Sequence, residues 1–351
     1  MPLSAGAVTN DNNQSHSLRA AAKDRGLFWG AAVPHTPLER DAEFARLLAQ
    51  ECAVVTPEWE MKWTAIESHH GRRNFAPADA IVKFARDHQL KVRGHALLWH
   101  RSVPDWAGET LKSEAGWDLV AAHIKAMLRR YSGDPFIHWD VLNEVIEPKH
   151  KRADGLRISP FLQVFGPNYI GRALEAAHAA APSMRLYLNE YGLDYDGPVE
   201  RDRRAALLRL VGALKTSGAP LHGVGIQGHL RLDNSKFSDT ALRRFLSELA
   251  SHDVKITITE LDVRERNLSL PLPERDRLVA GEVSRYLDVV LDEPAVEGVV
   301  AWGLSDRYSW LSPAKLTSTG ARNRGLPFDQ SLDAKPLRGA IVAALQRRPA
   351  R

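Results

Sequence analysis

The chain has 351 residues, 44% hydrophobic and 26% charged, a globular composition that excludes a disordered, collagen-like or disulfide-scaffold protein. Its one cysteine, Cys52, leaves neither an internal disulfide nor a cysteine metal cluster available. The 47 Lys and Arg against 43 Asp and Glu give a formal charge of +4 with the signs interspersed, which argues against nucleic acid as a partner.

Residues 1–16 (MPLSAGAVTNDNNQSH) are small and polar, with no basic start and no apolar core of about 7 to 15 residues, and read as a disordered leader or processed N-terminus. From residue 17 to 351 β-branched and aromatic runs alternate with helical patterns. The runs predict strands at 28–33, 53–58, 91–99, 138–144, 185–191, 223–229, 255–263 and 298–304. Helices are expected between them, for example over 117–131 and 239–252, where apolar residues recur at three and four. Eight strands alternating with helices point to the α/β class and a single (β/α)8 TIM barrel, whose active site lies at the C-terminal end of the strands. An open doubly wound sheet is the competing architecture, but no glycine-rich phosphate turn follows Val33. No apolar run approaches the roughly 20 residues of a membrane span, so no membrane partner is expected.

Parallel barrel strands are normally apolar throughout, yet here polar residues gather at one end. Glu58, His95, Asn143-Glu144, Asn189-Glu190-Tyr191, Gln227, His229, Glu260 and Asp262 all stand at or near strand C-termini. Strict alternation puts Ile256, Ile258, Glu260 and Asp262 on one face of their strand, with Gln227 and His229 on the neighbouring one. A histidine beside two carboxylates can orient and tune them. Glu144 and Glu260, across the barrel mouth, are the pair needed to cleave a glycosidic bond, one protonating the leaving oxygen and the other attacking or activating water. Six of the nine tryptophans, Trp59, Trp63, Trp99, Trp106, Trp302 and Trp310, lie at or just beyond strand C-termini, where flat apolar faces suit sugar rings. Packing under long loops is the competing reading for Trp63, Trp106 and Trp117.

The stretches GHALLWH, WDVLNEV, GVGIQGH, ITELDV and WGLSDRYSW, in this order, resemble glycoside hydrolase family 10, the retaining endo-1,4-β-xylanases, over essentially all of 17–351. The resemblance implies Glu144 as acid/base, Glu260 as nucleophile and Asn143 as the amide on the 2-hydroxyl of the cleaved sugar. It implies that His229 and Asp262 hold the nucleophile, and that Gln227 sits near the acid/base. It also implies Lys62, His95, Trp99, Trp302 and Trp310 as residues lining the glycone subsites, Glu58 as a further sugar contact, and Tyr191 as a contact on the aglycone side. Xylan or a xylo-oligosaccharide is then the partner, with no cofactor and no metal, and the protein is expected to be a monomer, secreted or periplasmic. The chain departs from the family where ENEMKW is usual: here Glu58-Trp59-Glu60-Met61-Lys62-Trp63 puts Trp59 in place of a sugar-binding asparagine, so the glycone subsite is expected to be altered. Arg101 and Ser102 stand where serine and glutamine are frequent.

Three other readings compete. One is a barrel that binds sugar with weak or lost catalysis, and another is a glycanase for a different β-1,4-glycan. The third is a basic interaction module built on Lys149-His150-Lys151-Arg152, a run without the interleaved aromatics that stack on bases. A metal hydrolase is disfavoured because no His-Glu-x-x-His helix is present.

Overall fold

Apolar, β-branched sequence builds the strands where it predicts them, in a computed structural model that describes residues 17–233, 236–312 and 321–348. The leader expected at 1–16 lies outside these residues. The strands are β1 (Phe28–Val33), β2 (Val54–Pro57), β3 (Lys91–Gly94), β4 (Leu98–Trp99), β5 (Phe136–Asn143), β6 (Leu186–Glu190), β7 (Gly223–Ile226), β8 (His229–Leu232), β9 (Lys255–Glu265) and β10 (Val296–Ala301). All the pairings between them are parallel, and β10 pairs with both β1 and β9, so the sheet closes and the open-sheet alternative falls. Of these ten strands, β4 and β8 are short side pieces on β5 and β9, leaving a ring of eight.

Two expected strands are interrupted. The run 91–99 stops after Gly94, passes a cis His95–Ala96 peptide and resumes at Leu98. The run 223–229 stops at Ile226 and restarts at His229, with Gly228 between them at φ +74°, a left-handed backbone that suits glycine.

Helices surround the ring, and their inner faces follow the predicted spacing. The helix Asp239–Ala250 buries Leu242, Phe245, Leu246 and Leu249, and Ser238 caps it by accepting a hydrogen bond from Ala241 N at 3.3 Å. The helix Trp117–Arg130 likewise buries Val120, Ile124, Met127 and Leu128 against the ring. These faces and the outward sides of the strands form one continuous apolar layer.

Inside the ring, polar residues are not confined to the C-terminal mouth, contrary to the sequence expectation. Tyr187 donates to Glu297 at 2.6 Å and Thr257 donates to the same carboxylate, while Arg93 pairs with Asp140 in mid-barrel, both fully buried. The pairing is incomplete: among the described residues Arg93 Nε and Nη1, Asp140 Oδ1 and both ring nitrogens of His138 are buried without a hydrogen-bond partner.

Strict alternation also fails on β9. Ile258 pairs with Val299 and Leu261 with Ala301, so β9 carries one residue more than β10 over that stretch, a β-bulge at Thr259-Glu260. The β7–β8 side shows the same excess, since Ile226 faces Ile258 and His229 faces Asp262. Consequently Ile256 and Ile258 do not share a face with Glu260. Thr259 and Glu260, adjacent in sequence, both reach Asn189 inside the ring.

Candidate active site

The C-terminal ends of the strands open into a cleft of about 400 Å³ lined by Glu58, Trp59, Lys62, His95, Trp99, Arg101, Asn143, Glu144, Tyr191, Gln227, His229, Glu260, Trp302 and Trp310. Thirteen of these fourteen lining residues are ones the sequence marks as site residues; Arg101 enters there only as a departure from the family pattern. Asp262 lies just beneath, buried against His229 and Trp310.

The bulge on β9 delivers Glu260 into a dense set of donors. Asn189 Nδ2 donates to Glu260 Oε1 at 2.7 Å, and His229 Nε2–H donates to Oε2 at 3.1 Å. His229 Nδ1–H donates to Asp262 Oδ1 at 2.8 Å, and the Trp310 indole donates to Asp262 Oδ2 at 2.6 Å. With both ring nitrogens donating to carboxylates, His229 is an imidazolium. Burial works against its charge, but Asp262 and Glu260 outweigh that and hold its pKa well above the usual histidine value. Burial alone would raise the carboxyl of Glu260; the His229 hydrogen bond and the cationic surroundings overcome it and hold the pKa at about 2. The β7 strand makes room for this arrangement: a Cβ at Gly225 would meet Asn189 Oδ1 at 2.2 Å and Thr259 Cγ2 at 2.8 Å, so only glycine fits.

Glu144 is held differently. It follows the last residue of β5 with φ +60°, a left-handed backbone rare for a residue with a side chain. Its N–H donates to Asn189 O at 2.9 Å, and its own carbonyl accepts from Arg157 Nε at 2.6 Å. Among the described residues only long side-chain hydrogen bonds reach its carboxylate, from Asn143 Nδ2 and Gln227 Nε2, each at 3.4 Å. Asn189 Nδ2 also donates to Asn143 Oδ1 at 2.9 Å, so the route Glu260, Asn189, Asn143, Glu144 joins the two carboxylates through side-chain amides.

Lys62 projects among aromatic faces, its Nζ 4.5 Å from the ring centre of Trp99, 5.2 Å from Trp59 and 5.6 Å from Trp302. Burial lowers its pKa below the ordinary lysine value against the pull of Glu260, Glu58 and Glu144. Glu58 beside it is pushed up to about 7, chiefly by burial. His95 donates from Nδ1 to Asp140 Oδ2 at 2.7 Å and stands edge-on to Trp302. Burial keeps its pKa below the usual histidine value.

The tryptophans divide. Trp59, Trp99, Trp302 and Trp310 line the cleft, and Trp59 and Trp310 are 48% and 44% exposed. Trp63 is buried and stacks on His123, while Trp106 stacks on His70 and donates to Glu67 O at 2.7 Å. Trp117 packs edge-on to Phe165 under Arg172. For these three the packing reading holds, and the grouping of Trp63 and Trp106 with the mouth residues is corrected. A position just past a strand end does not say whether the following turn directs a ring into the cleft or under the loop.

Sequence reasoning missed the supports. Asn189 was noted only as a strand-end residue, yet it contacts both Glu260 and Asn143. Arg93 and Asp140, in mid-strand, and Arg157, Glu147 and Arg203, in loop and helix, carried no signal beyond being charges next to apolar sequence. The basic run 149–152 stays peripheral: Arg152 pairs with Asp154 at 2.6 Å and His150 accepts from Ile158 N at 2.9 Å. Among the described residues no group of three or more His, Cys, Asp or Glu is arranged to hold a metal ion, and no helix is long and apolar enough to cross a membrane.

Comparison with known proteins agrees with this geometry. The chain is 34% identical over 328 residues to endo-1,4-beta-xylanase A of Thermoanaerobacterium saccharolyticum, covering 89% of this chain and 26% of that protein. It is 32% identical over 359 residues to exoglucanase XynX of Acetivibrio thermocellus, covering 97% and 31% respectively. The chain thus spans about a quarter to a third of the length of these two relatives. Xylanase 10B of Thermotoga petrophila RKU-1, solved in complex with xylobiose, superposes with a TM-score of 0.85 at 29% identity, covering 97% of this chain and 99% of that one. The profile of Glycosyl hydrolase family 10 matches residues 17–344, spanning the ring of strands and both candidate carboxylates. With a closed parallel barrel, two linked carboxylates at its mouth and a family match along nearly its whole length, the chain belongs to glycosyl hydrolase family 10.

Proposed function

We propose that residues 17–351 form one catalytic barrel, a retaining endo-1,4-β-xylanase that cleaves internal bonds of xylan or xylo-oligosaccharides by double displacement. The observation that carries the reading is the pair of carboxylates in one cleft, one ringed by strong donors and held ionised, the other left almost uncontacted at its oxygens. The first suits a nucleophile and the second a group that must give and take a proton.

In the first step Glu260 attacks the anomeric carbon, a bond forms from its Oε to that carbon, and the glycosidic bond breaks as Glu144 protonates the leaving oxygen. In the second, Glu144 takes a proton from water, the resulting hydroxide-like oxygen attacks the same carbon, and the Glu260 carboxylate is released. Two inversions give net retention. Asn143 holds the 2-hydroxyl of the cleaved sugar. His229 and Asp262 keep Glu260 ionised, and Gln227 steadies Glu144. Lys62, His95, Trp99, Trp302 and Trp310 contact the glycone side, Tyr191 the aglycone side, and Glu58 is a further sugar contact. Trp59, half exposed beside Lys62, presents a stacking face where the family usually has an amide, which alters the glycone subsite. A monomer acting outside the cytoplasm belongs to the same reading.

The test is a product profile on xylohexaose and on carboxymethyl cellulose, with the anomer released first followed by NMR. Internal cleavage of xylohexaose to β-anomeric products, with carboxymethyl cellulose left intact, is expected. Release of the α-anomer first overturns retention. Comparable turnover of carboxymethyl cellulose would favour the second reading, a glycanase of another β-1,4-glycan, for which the similarity to a protein named exoglucanase speaks.

A further inference from the structure

We infer that Arg157 is a positioning residue for the acid/base Glu144, acting on its backbone from behind the cleft; this rests on the double-displacement reading above. Glu144 has a left-handed backbone at φ +60°, a conformation that is unfavourable for a residue with a side chain and persists only where the surroundings impose it. Arg157 supplies much of that imposition. Its Nε donates to Glu144 O at 2.6 Å, and its Nη2 donates to Tyr191 Oη at 3.0 Å and to Ile146 O and Glu147 Oε2 at 3.4 Å. One planar guanidinium thus spans the residue that carries the proton, the turn that follows it and the aromatic side chain on the aglycone side.

The guanidinium is itself fixed. Arg157 is 9% exposed, and its ion-pair partner Glu147 accepts from Tyr191 Oη at 2.7 Å and from Arg203 Nη2 at 3.1 Å. Arg203 also donates to Ile146 O and lies over the Tyr191 ring at 4.2 Å. From the other side Glu190 Oε1 accepts from Ile146 N at 2.7 Å. The segment 144–147 is therefore gripped at successive backbone groups while the Glu144 carboxylate stays open to the cleft. Lysine in place of Arg157 keeps the charge but lacks the rigid fork that reaches Glu144 O, Tyr191 and Glu147 together.

A group that acts through the acid catalyst matters only where acid is needed. Phenyl β-xylobioside has a poor leaving group that must be protonated, whereas 2,4-dinitrophenyl β-xylobioside leaves unaided, and the two fill the cleft alike. For Arg157→Lys, kcat/KM on the phenyl substrate should fall about 10²-fold, the scale of a misplaced catalytic group. On the dinitrophenyl substrate it should stay within about threefold. Equal losses on both overturn the inference, because a general disturbance of fold or binding does not read the leaving group. Glu147→Gln, at a residue that does not itself line the cleft but holds both Arg157 and the Tyr191 hydroxyl, should show the same asymmetry at smaller size and serves if Arg157→Lys does not fold; equal losses there overturn the inference as well. Glu144→Ala separates the two levels of the argument. If it discriminates between the substrates and the Arg157 and Glu147 variants do not, the inference alone fails; if Glu144→Ala loses both equally, the acid/base reading fails and takes the inference with it.

Discussion

The two carboxylates of the cleft are held by opposite means. Glu260 is gripped by its oxygens: Asn189 and His229 donate to them, and His229 is itself anchored on Asp262. Glu144 is gripped by its backbone, through Asn189 O and Arg157, and its oxygens meet only distant amides. The difference fits the work proposed for each. A nucleophile must stay ionised and aimed, and short charge-assisted hydrogen bonds do both. A proton carrier passes through both protonation states, and strong donors on its oxygens would trap it in one of them. Clamping the main chain fixes direction without biasing the proton.

Removing the gripped carboxylate itself should have the largest effect. Glu260→Ala is expected to lower kcat on xylohexaose by on the order of 10⁵-fold, measured by product release; activity near wild type would reassign the nucleophile. Next comes the grip on that carboxylate. With His229→Gln the imidazolium is lost and burial remains, so the pKa of Glu260 should climb from about 2 towards or above the ordinary glutamate value of 4.5. The acid limb of kcat/KM should move up by about two pH units or more, and a pH profile on xylohexaose that coincides with wild type would remove His229 from that role.

Smaller effects follow at Trp59, on the glycone side. Trp59→Asn restores the residue usual in the family and is expected to change KM for long xylo-oligosaccharides by up to about tenfold while sparing kcat. Identical kinetics on short and long substrates would mean that Trp59 touches neither. The smallest expected effect is thermal, on the Glu144 side. Burial raises the pKa of Glu190 to about 8 against an ordinary 4.5, so between those values the folded chain binds a proton that the unfolded chain has released. That contribution is present below about pH 4.5 and is lost as pH rises through about 8. Glu190→Gln should therefore melt above wild type by an increment that grows by a few degrees from pH 4.5 to 8. A constant difference across that range would mean that Glu190 is ionised in the fold throughout.

Much of this molecule was legible before any coordinates. Alternating apolar runs and helical periods determined eight strands and the helices between them, because burial on both faces of a parallel strand demands continuous apolar sequence. The polar residues that break those runs at their C-terminal ends mark the cleft with eight of its lining residues, the tryptophans at the same ends add four, and Lys62 follows from the family resemblance alone. The tertiary structure alone decided where a period breaks and what crosses between strands. The β9 bulge places Thr259 and Glu260 side by side on Asn189, and no pattern of residue types announces an extra residue whose cause is the register of two neighbouring strands. Trp63 and Trp106 turn away from the cleft because of the short helix and turns that follow their strands. Arg157 lies 13 residues beyond Glu144 and returns to its carbonyl only when the loop between them folds back. Local sequence specifies which face a side chain takes within an element; contacts between elements depend on register and loop path, which are properties of the closed barrel as a whole.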